Sequence, residues 1–165
     1  LLETLVSRHS GKLLRVPGEA KGLYHLAAAL ASNGVVALFA MAADLFDRAG
    51  IPPAESSQAL LPLLRGTLEN LERLGLPGAL TGPISRGDHG TVLRHLDSLG
   101  REVPEMIALY CHLGRRMVAL AQAKGGLDDA GARLMLRTLA VAEEGREPKG
   151  WRPEAGREIK EKACA

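Results

Sequence analysis

Eighteen consecutive residues, Leu26–Ala43 ("LAAALASNGVVALFAMAA"), carry no charge. No other segment restricts the fold so strongly. The length is the lower limit for a helix that spans a bilayer. Eight of the residues are Ala, Ser32, Asn33 and Gly34 sit in the middle, and no Trp or Tyr belt flanks both ends. These features favour a helix buried on all sides inside a soluble protein over a membrane span. The apolar residues of the chain, 46% of the total, are mainly Leu and Ala, which favours helices elsewhere too.

The chain has 165 residues, enough for one domain and one core. It carries 21 basic and 19 acidic residues, a formal net charge of +2, and only 3% aromatics. That balance, with no basic stripe and no stacking platform, argues against nucleic acid. Cys111 and Cys164 form no CxxC and have no nearby His ligand set, so no metal site is expected and a reducing cytoplasm is the default compartment. The chain opens on "LLETLVSRHSGKLLRVP", without an initiator Met, as a fragment of a longer protein would.

Punctuation divides the sequence clearly. Leu1–His9 reads as a helix end and Lys12–Pro17 as the one strand, stopped by Pro17. A long helix is expected over Glu19–Ala49, ended by Gly50, and a second over Ala54–Leu74, with Leu61, Leu64, Leu68 and Leu71 as an apolar stripe. After the loop Gly75–Gly87, Asp88 has the chemistry of an N-cap for a short amphipathic helix. Val103, Met106, Tyr110, Leu113, Met117 and Leu120 mark the next helix, closed by "KGG". A last helix covers Leu127–Glu143. From Gly145 the chain is polar and broken by Pro and Gly, a loose tail. One strand before five helices looks like the last αβ unit of an absent α/β domain joined to an all-α domain.

The loop Thr81–Thr91, "TGPISRGDHGT", has the glycine spacing of a phosphate-binding loop. Asp88 and His89 stand where Lys and Ser or Thr are needed, so the nucleotide-hydrolase reading fails. Gly82 and Gly87 permit positive φ, and Arg86 is able to pair with a carboxylate or phosphate. A plain turn with a solvated Arg86 fits the same residues. On the long helix, Tyr24 and His25 precede Ser32 and Asn33 by about two turns. His25, Ser32 and Asn33 at i, i+7 and i+8 share one face, which would line a polar cleft. The alternative is that each is a satisfied core polar group. Arg65 and Glu69, at i and i+4, read either as a surface ion pair or, beside the mid-helix Gly66, as a place something approaches closely. His89, His95 and His112 lack metal spacing and read as structural or surface residues.

Three pieces in this order, "RVPGEAKGLYHLAAALASNGVVAL", "LLPLLRGTLENLERLGLPGALTGPISRGDHGTVLRHLDSL" and "LYCHLGRRMVALA", resemble the C-terminal half of domain-of-unknown-function family 2520. That family is distantly similar to pyrroline-5-carboxylate reductase, ketopantoate reductase and the β-hydroxyacid dehydrogenases. The resemblance covers about Lys12–Ala121. It implies a mainly α helical bundle like the C-terminal domain of 6-phosphogluconate dehydrogenase. Residues 1–17 would be the remnant helix and strand of a missing Rossmann-like domain, 18–144 the helical domain and 145–165 a tail. It further implies the substrate-binding and dimerisation domain of an NAD(P)-dependent oxidoreductase acting on a small molecule, a homodimer without nucleic-acid or membrane partners. His25 becomes the candidate acid/base, and Tyr24, Ser32, Asn33, Arg65, Thr81 and Arg86 the substrate contacts. The chain has no G-x-G-x-x-G, so NAD(P) would be held by the missing domain and the 165 residues alone would be inactive. The rival from another class is a non-catalytic helical dimerisation or interaction module.

Overall fold

The structure, a computed structural model, describes residues 14–146. The expected helix end at Leu1–His9, the start of the expected strand and most of the expected tail lie outside them. The fold is mainly α, with no strand among the described residues. Leu14–Pro17, the described part of the expected strand, has no ladder partner among them. A lone strand leaves its backbone groups unpaired, and so it does not form.

The chain divides into two compact units, one ending at Pro62 and one beginning at Leu63. The first unit opens on a 3-10 turn, Gly18–Ala20, and continues as α1 (Lys21–Ala31) and α2 (Asn33–Arg48). The two helices run almost without interruption. Only Ser32 departs from regular geometry (φ −111°, ψ −75°), while its N–H still reaches Ala28 O at 3.0 Å and its carbonyl accepts from Val36. The expected single helix over Glu19–Ala49 is therefore present, with one irregular residue. It ends in a Schellman motif: Gly50 N–H bonds Asp47 O at 2.8 Å and Ile51 N–H bonds Phe46 O at 2.9 Å. That motif needs a left-handed residue, and Gly50 supplies it at φ 81°.

The expectation that this helix is buried on all sides is not met. None of its most apolar 18-residue window is buried, and the stretch Gly18–Arg48 is long and apolar enough to cross a membrane. Leu23, Leu30 and Val36 are each at least 65% exposed. The third helix, α3 (Pro53–Gly78), keeps helical backbone until Gly75, where φ is 60°. The expected end near Leu74 is thus correct to a residue. Its stripe leucines Leu61, Leu68 and Leu71 are also exposed.

The second unit has a closed core. Asp88 caps α4 (His89–Glu102), with Thr91 N–H donating to its Oδ1 at 3.0 Å. Val103 and a 3-10 turn (Pro104–Met106) lead into α5 (Ile107–Ala123). Asp128 caps α6 (Asp129–Glu143), accepting from Gly131 N–H at 2.7 Å. The residues that mark α5 in the sequence, Met106, Tyr110, Leu113, Met117 and Leu120, are only half-buried. Its buried face is Cys111, Gly114, Val118 and Ala121, a row of small residues that lets α6 come close. Against them pack Ala132, Met135, Leu139 and Ala142 of α6, with Val92 and Leu96 of α4 completing the core.

Gly114 is the tightest point. A Cβ there would lie 2.9 Å from Leu139 Cδ1 and 3.5 Å from Ile84 Cδ1. Leu139 is fully buried, so shifting its Cδ atoms displaces other side chains of a close-packed core. Gly114→Ala should therefore destabilise the protein by about 1–3 kcal/mol, overpacking outweighing the roughly 1 kcal/mol gain in helix propensity. Urea denaturation measures this; an unchanged or higher midpoint would mean that the seam accepts a methyl group after all.

Candidate functional site

Of the sequence-derived residues, Tyr24, His25, Ser32 and Asn33 lie on the α1–α2 helix in the first unit. All four are exposed, so none is a satisfied core polar group. Ser32 is the irregular residue, and Asn33 starts α2. Their side chains make no hydrogen bond among the described residues, which leaves them open to a partner from outside.

Arg65, Thr81 and Arg86 lie in the second unit. Arg65 is exposed on α3 and, among the described residues, forms no ion pair with Glu69. A Cβ on Gly66 would meet nothing within 4 Å, so no described segment of the chain explains that glycine. Thr67 returns its hydroxyl to Leu63 O at 3.0 Å, and Asn70 accepts from Arg73 at 3.2 Å.

Thr81 and Arg86 share the loop between α3 and α4, and the loop's construction explains its sequence. Gly82 (φ 92°) and Gly87 (φ 69°) occupy left-handed backbone at either end of a 3-10 turn, Ile84–Arg86. Ile84 and Ser85 point inward and are 3% exposed; Ile84 enters the core beside Gly114. Ser85 Oγ–H donates to Leu80 O at 3.3 Å. Asp88 N–H donates back to Pro83 O at 2.9 Å. Thr81 and Arg86 remain exposed. The Asp88 carboxylate also accepts Thr91 Oγ1–H at 2.7 Å. The Thr91 bonds, side chain first, hold its pKa below the usual value, with Arg94 and Arg86 contributing. Asp88 is thus a structural cap that occupies the α4 N-terminus, where an anionic ligand would otherwise bind.

The histidines of α4 are structural. Thr138 Oγ1–H donates to Leu134 O at 3.0 Å, so it accepts from His89 Nε2–H at 2.7 Å, which fixes the tautomer. His95 Nδ1 lies 3.0 Å from Tyr110 Oη, with the rings edge to face at 5.9 Å. Burial raises the Tyr110 pKa to about 12, so the phenol stays protonated, and the His95 tautomer sets which of the two donates. No group of three or more His, Cys, Asp or Glu among the described residues is arranged to hold a metal.

One residue of this region has no place in the sequence-derived set. Lys124, at the end of α5, donates from Nζ to Leu80 O at 2.5 Å. In the sequence it is visible only as the first residue of the helix-ending "KGG".

Among known families, the sequence model described as Domain of unknown function (DUF2520) matches residues 1–117. No curated protein and no solved structure matches the chain.

The His95–Tyr110 contact predicts a pH dependence. Burial, then repulsion from Arg94, lowers the folded-state pKa of His95 below the ordinary 6.5, with Asp88 opposing. A depressed folded-state value means the unfolded chain binds the proton more readily. The contribution is complete above about pH 6.5 and is lost as pH falls through the lowered value. Urea midpoints should drop between about pH 8 and pH 5, and the drop should shrink in His95→Gln. An equal drop in both proteins would assign the effect elsewhere.

Proposed function

The chain belongs to the family described as Domain of unknown function (DUF2520), and on that premise we propose that it is the substrate-binding and dimerisation part of an NAD(P)-dependent oxidoreductase acting on a small molecule. The observation that supports this most is the uncovered α1–α2 helix. It exposes Leu and Val side chains that water does not favour, and the same helix carries Tyr24, His25, Ser32 and Asn33 with no partners among the described residues. An apolar surface interrupted by open polar groups suits a boundary where another protein body covers the helix and a polar ligand is enclosed.

The described residues do not fit the dinucleotide itself. They hold no strand and no glycine-rich strand-to-helix turn of the type that receives a pyrophosphate. In this reading NAD(P) sits on another domain. His25 is the candidate acid or base, since imidazole exchanges protons near neutral pH. Arg86 and Arg65 offer guanidinium groups to a carboxylate or phosphate of the substrate, and Tyr24, Ser32, Asn33 and Thr81 offer neutral hydrogen bonds. The covering body for α1–α2 is a second copy of the chain. The polar Ser32-Asn33-Gly34 centre and the missing aromatic belts make lipid a poorer match.

The test is made on the full-length protein. Saturable quenching or enhancement of NADH or NADPH fluorescence is expected, with none for the 165-residue chain alone. With a substrate found by screening, His25→Ala should lower turnover far more than it lowers Tm. Arg86→Ala should mainly raise KM, because a charge clamp acts on ground and transition states alike. Sedimentation should give a dimer, and Leu30→Glu or Val36→Glu should give folded monomers. A full-length protein that dimerises without binding either nucleotide would leave only the rival, a non-catalytic dimerisation module. Flotation of the wild type with phosphatidylcholine–phosphatidylglycerol vesicles would replace the dimer with a membrane contact.

A further inference from the structure

The exposed members of the Thr81–Arg86 loop keep a defined position only if something outside the loop holds it. Its internal bonds, Arg86 N–H to Pro83 O (3.2 Å), Gly87 N–H to Ile84 O (3.2 Å) and Ser85 Oγ–H to Leu80 O, shape the turn but do not register it against the helices. Ile84, seated in the core over Gly114, anchors the middle of the loop; the further contacts from outside it converge on four consecutive residues, Lys124–Leu127, between α5 and α6. The Lys124 ammonium bonds Leu80 O at the entry to the loop. A Cβ on Gly126 would lie 2.8 Å from Ser85 O, so the turn's backbone abuts the middle of the loop. A Cβ on Gly87 would lie 3.2 Å from Leu127 Cδ1, so the turn also meets the loop's exit. Three points spaced along one loop thus rest on one short turn. The turn lies beyond residue 117, where the family match ends, whereas the loop lies within it.

We infer that Lys124 is a positioning residue, which, with the close-packed backbone at Gly126, sets where the Thr81 and Arg86 side chains are presented. That their position matters for a substrate rests on the function proposed above; that the turn holds the loop does not. An exposed lysine gives up considerable side-chain freedom to be held at one carbonyl. The return is a charge-assisted bond to a carbonyl that already accepts from Ser85, which ties loop, turn and core together.

Amide hydrogen exchange on the 165-residue chain tests this without cofactor or substrate. In Lys124→Met, which keeps the stem and removes the charge, exchange at Arg86, Gly87 and Asp88 should quicken about tenfold or more, as expected for losing a charged hydrogen bond. Amides of the α5–α6 seam, such as Val118 and Leu139, should keep the wild-type rate, Tm should change little, and Lys124→Arg should restore the loop. Gly126→Ala, which keeps the lysine but places a Cβ 2.8 Å from Ser85 O and 3.2 Å from Lys124 Cε, should quicken the same amides. Unchanged loop exchange in both Lys124→Met and Gly126→Ala would overturn the inference, as would equal acceleration of loop and seam, which reports global loosening. Failure of the oxidoreductase reading would appear instead as missing nucleotide binding with this exchange pattern intact.

Discussion

Gly114 is where the second unit is decided. With hydrogen in place of a methyl group, α5 and α6 approach closely enough for Leu139 and Ile84 to meet over the glycine. Ile84 is a loop residue, so the same contact that joins two helices also draws the loop into the core. Dispersion falls steeply with separation, and a seam of Cys111, Gly114, Val118 and Ala121 gains its stability from proximity rather than from large side chains. Arg115 and Glu143 pair across the same two helices at the surface, where an ion pair adds little. The His89–Thr138 and His95–Tyr110 bonds then tie α4 to α6 and to α5.

Burial is distributed very unevenly. Of the large apolar side chains exposed among the described residues, thirteen fall between Leu14 and Leu76 and only Leu134 and Leu136 lie later. Each Leu moved from full exposure to full burial is worth about 1.5–3 kcal/mol. Even partial burial of this set would outweigh the several kcal/mol that association costs. Every buried apolar core residue lies at Ala79 or later, so that part of the chain has largely satisfied its own apolar demand; α1, α2 and α3 have not, and these helices call for a partner surface. This contrast, rather than any single residue, supports an assembly role for α1 and α2.

Arg86 and Lys124 divide the labour of one loop. The first is exposed, in a segment whose Thr-Gly-Pro and Arg-Gly pattern stands out in a Leu- and Ala-rich chain. The second sits in an ordinary helix-ending sequence and acts through a carbonyl forty-four residues away in the chain. A lysine-to-carbonyl bond of this kind leaves no trace in composition or periodicity.

The sequence by itself determined what depends on nearest neighbours. The helix limits near Ala49 and Leu74, the Gly50 stop and the Asp88 cap all follow from local hydrogen bonding and backbone sterics, and all are present. The candidate loop was legible for the same reason, since glycine and proline restrict φ wherever they occur. Three matters belonged to tertiary structure because each requires two distant segments. One is the uncovered state of Leu26–Ala43, where apolarity said only that the helix wants cover and not that this chain supplies it. Another is the small-residue seam, hidden by larger neighbours such as Tyr110, Leu113 and Met117 that mark the helix but are only half-buried. The last is the grip of Lys124–Leu127 on the loop, which exists only once α5 and α6 have packed and brought their connecting turn beneath Ser85.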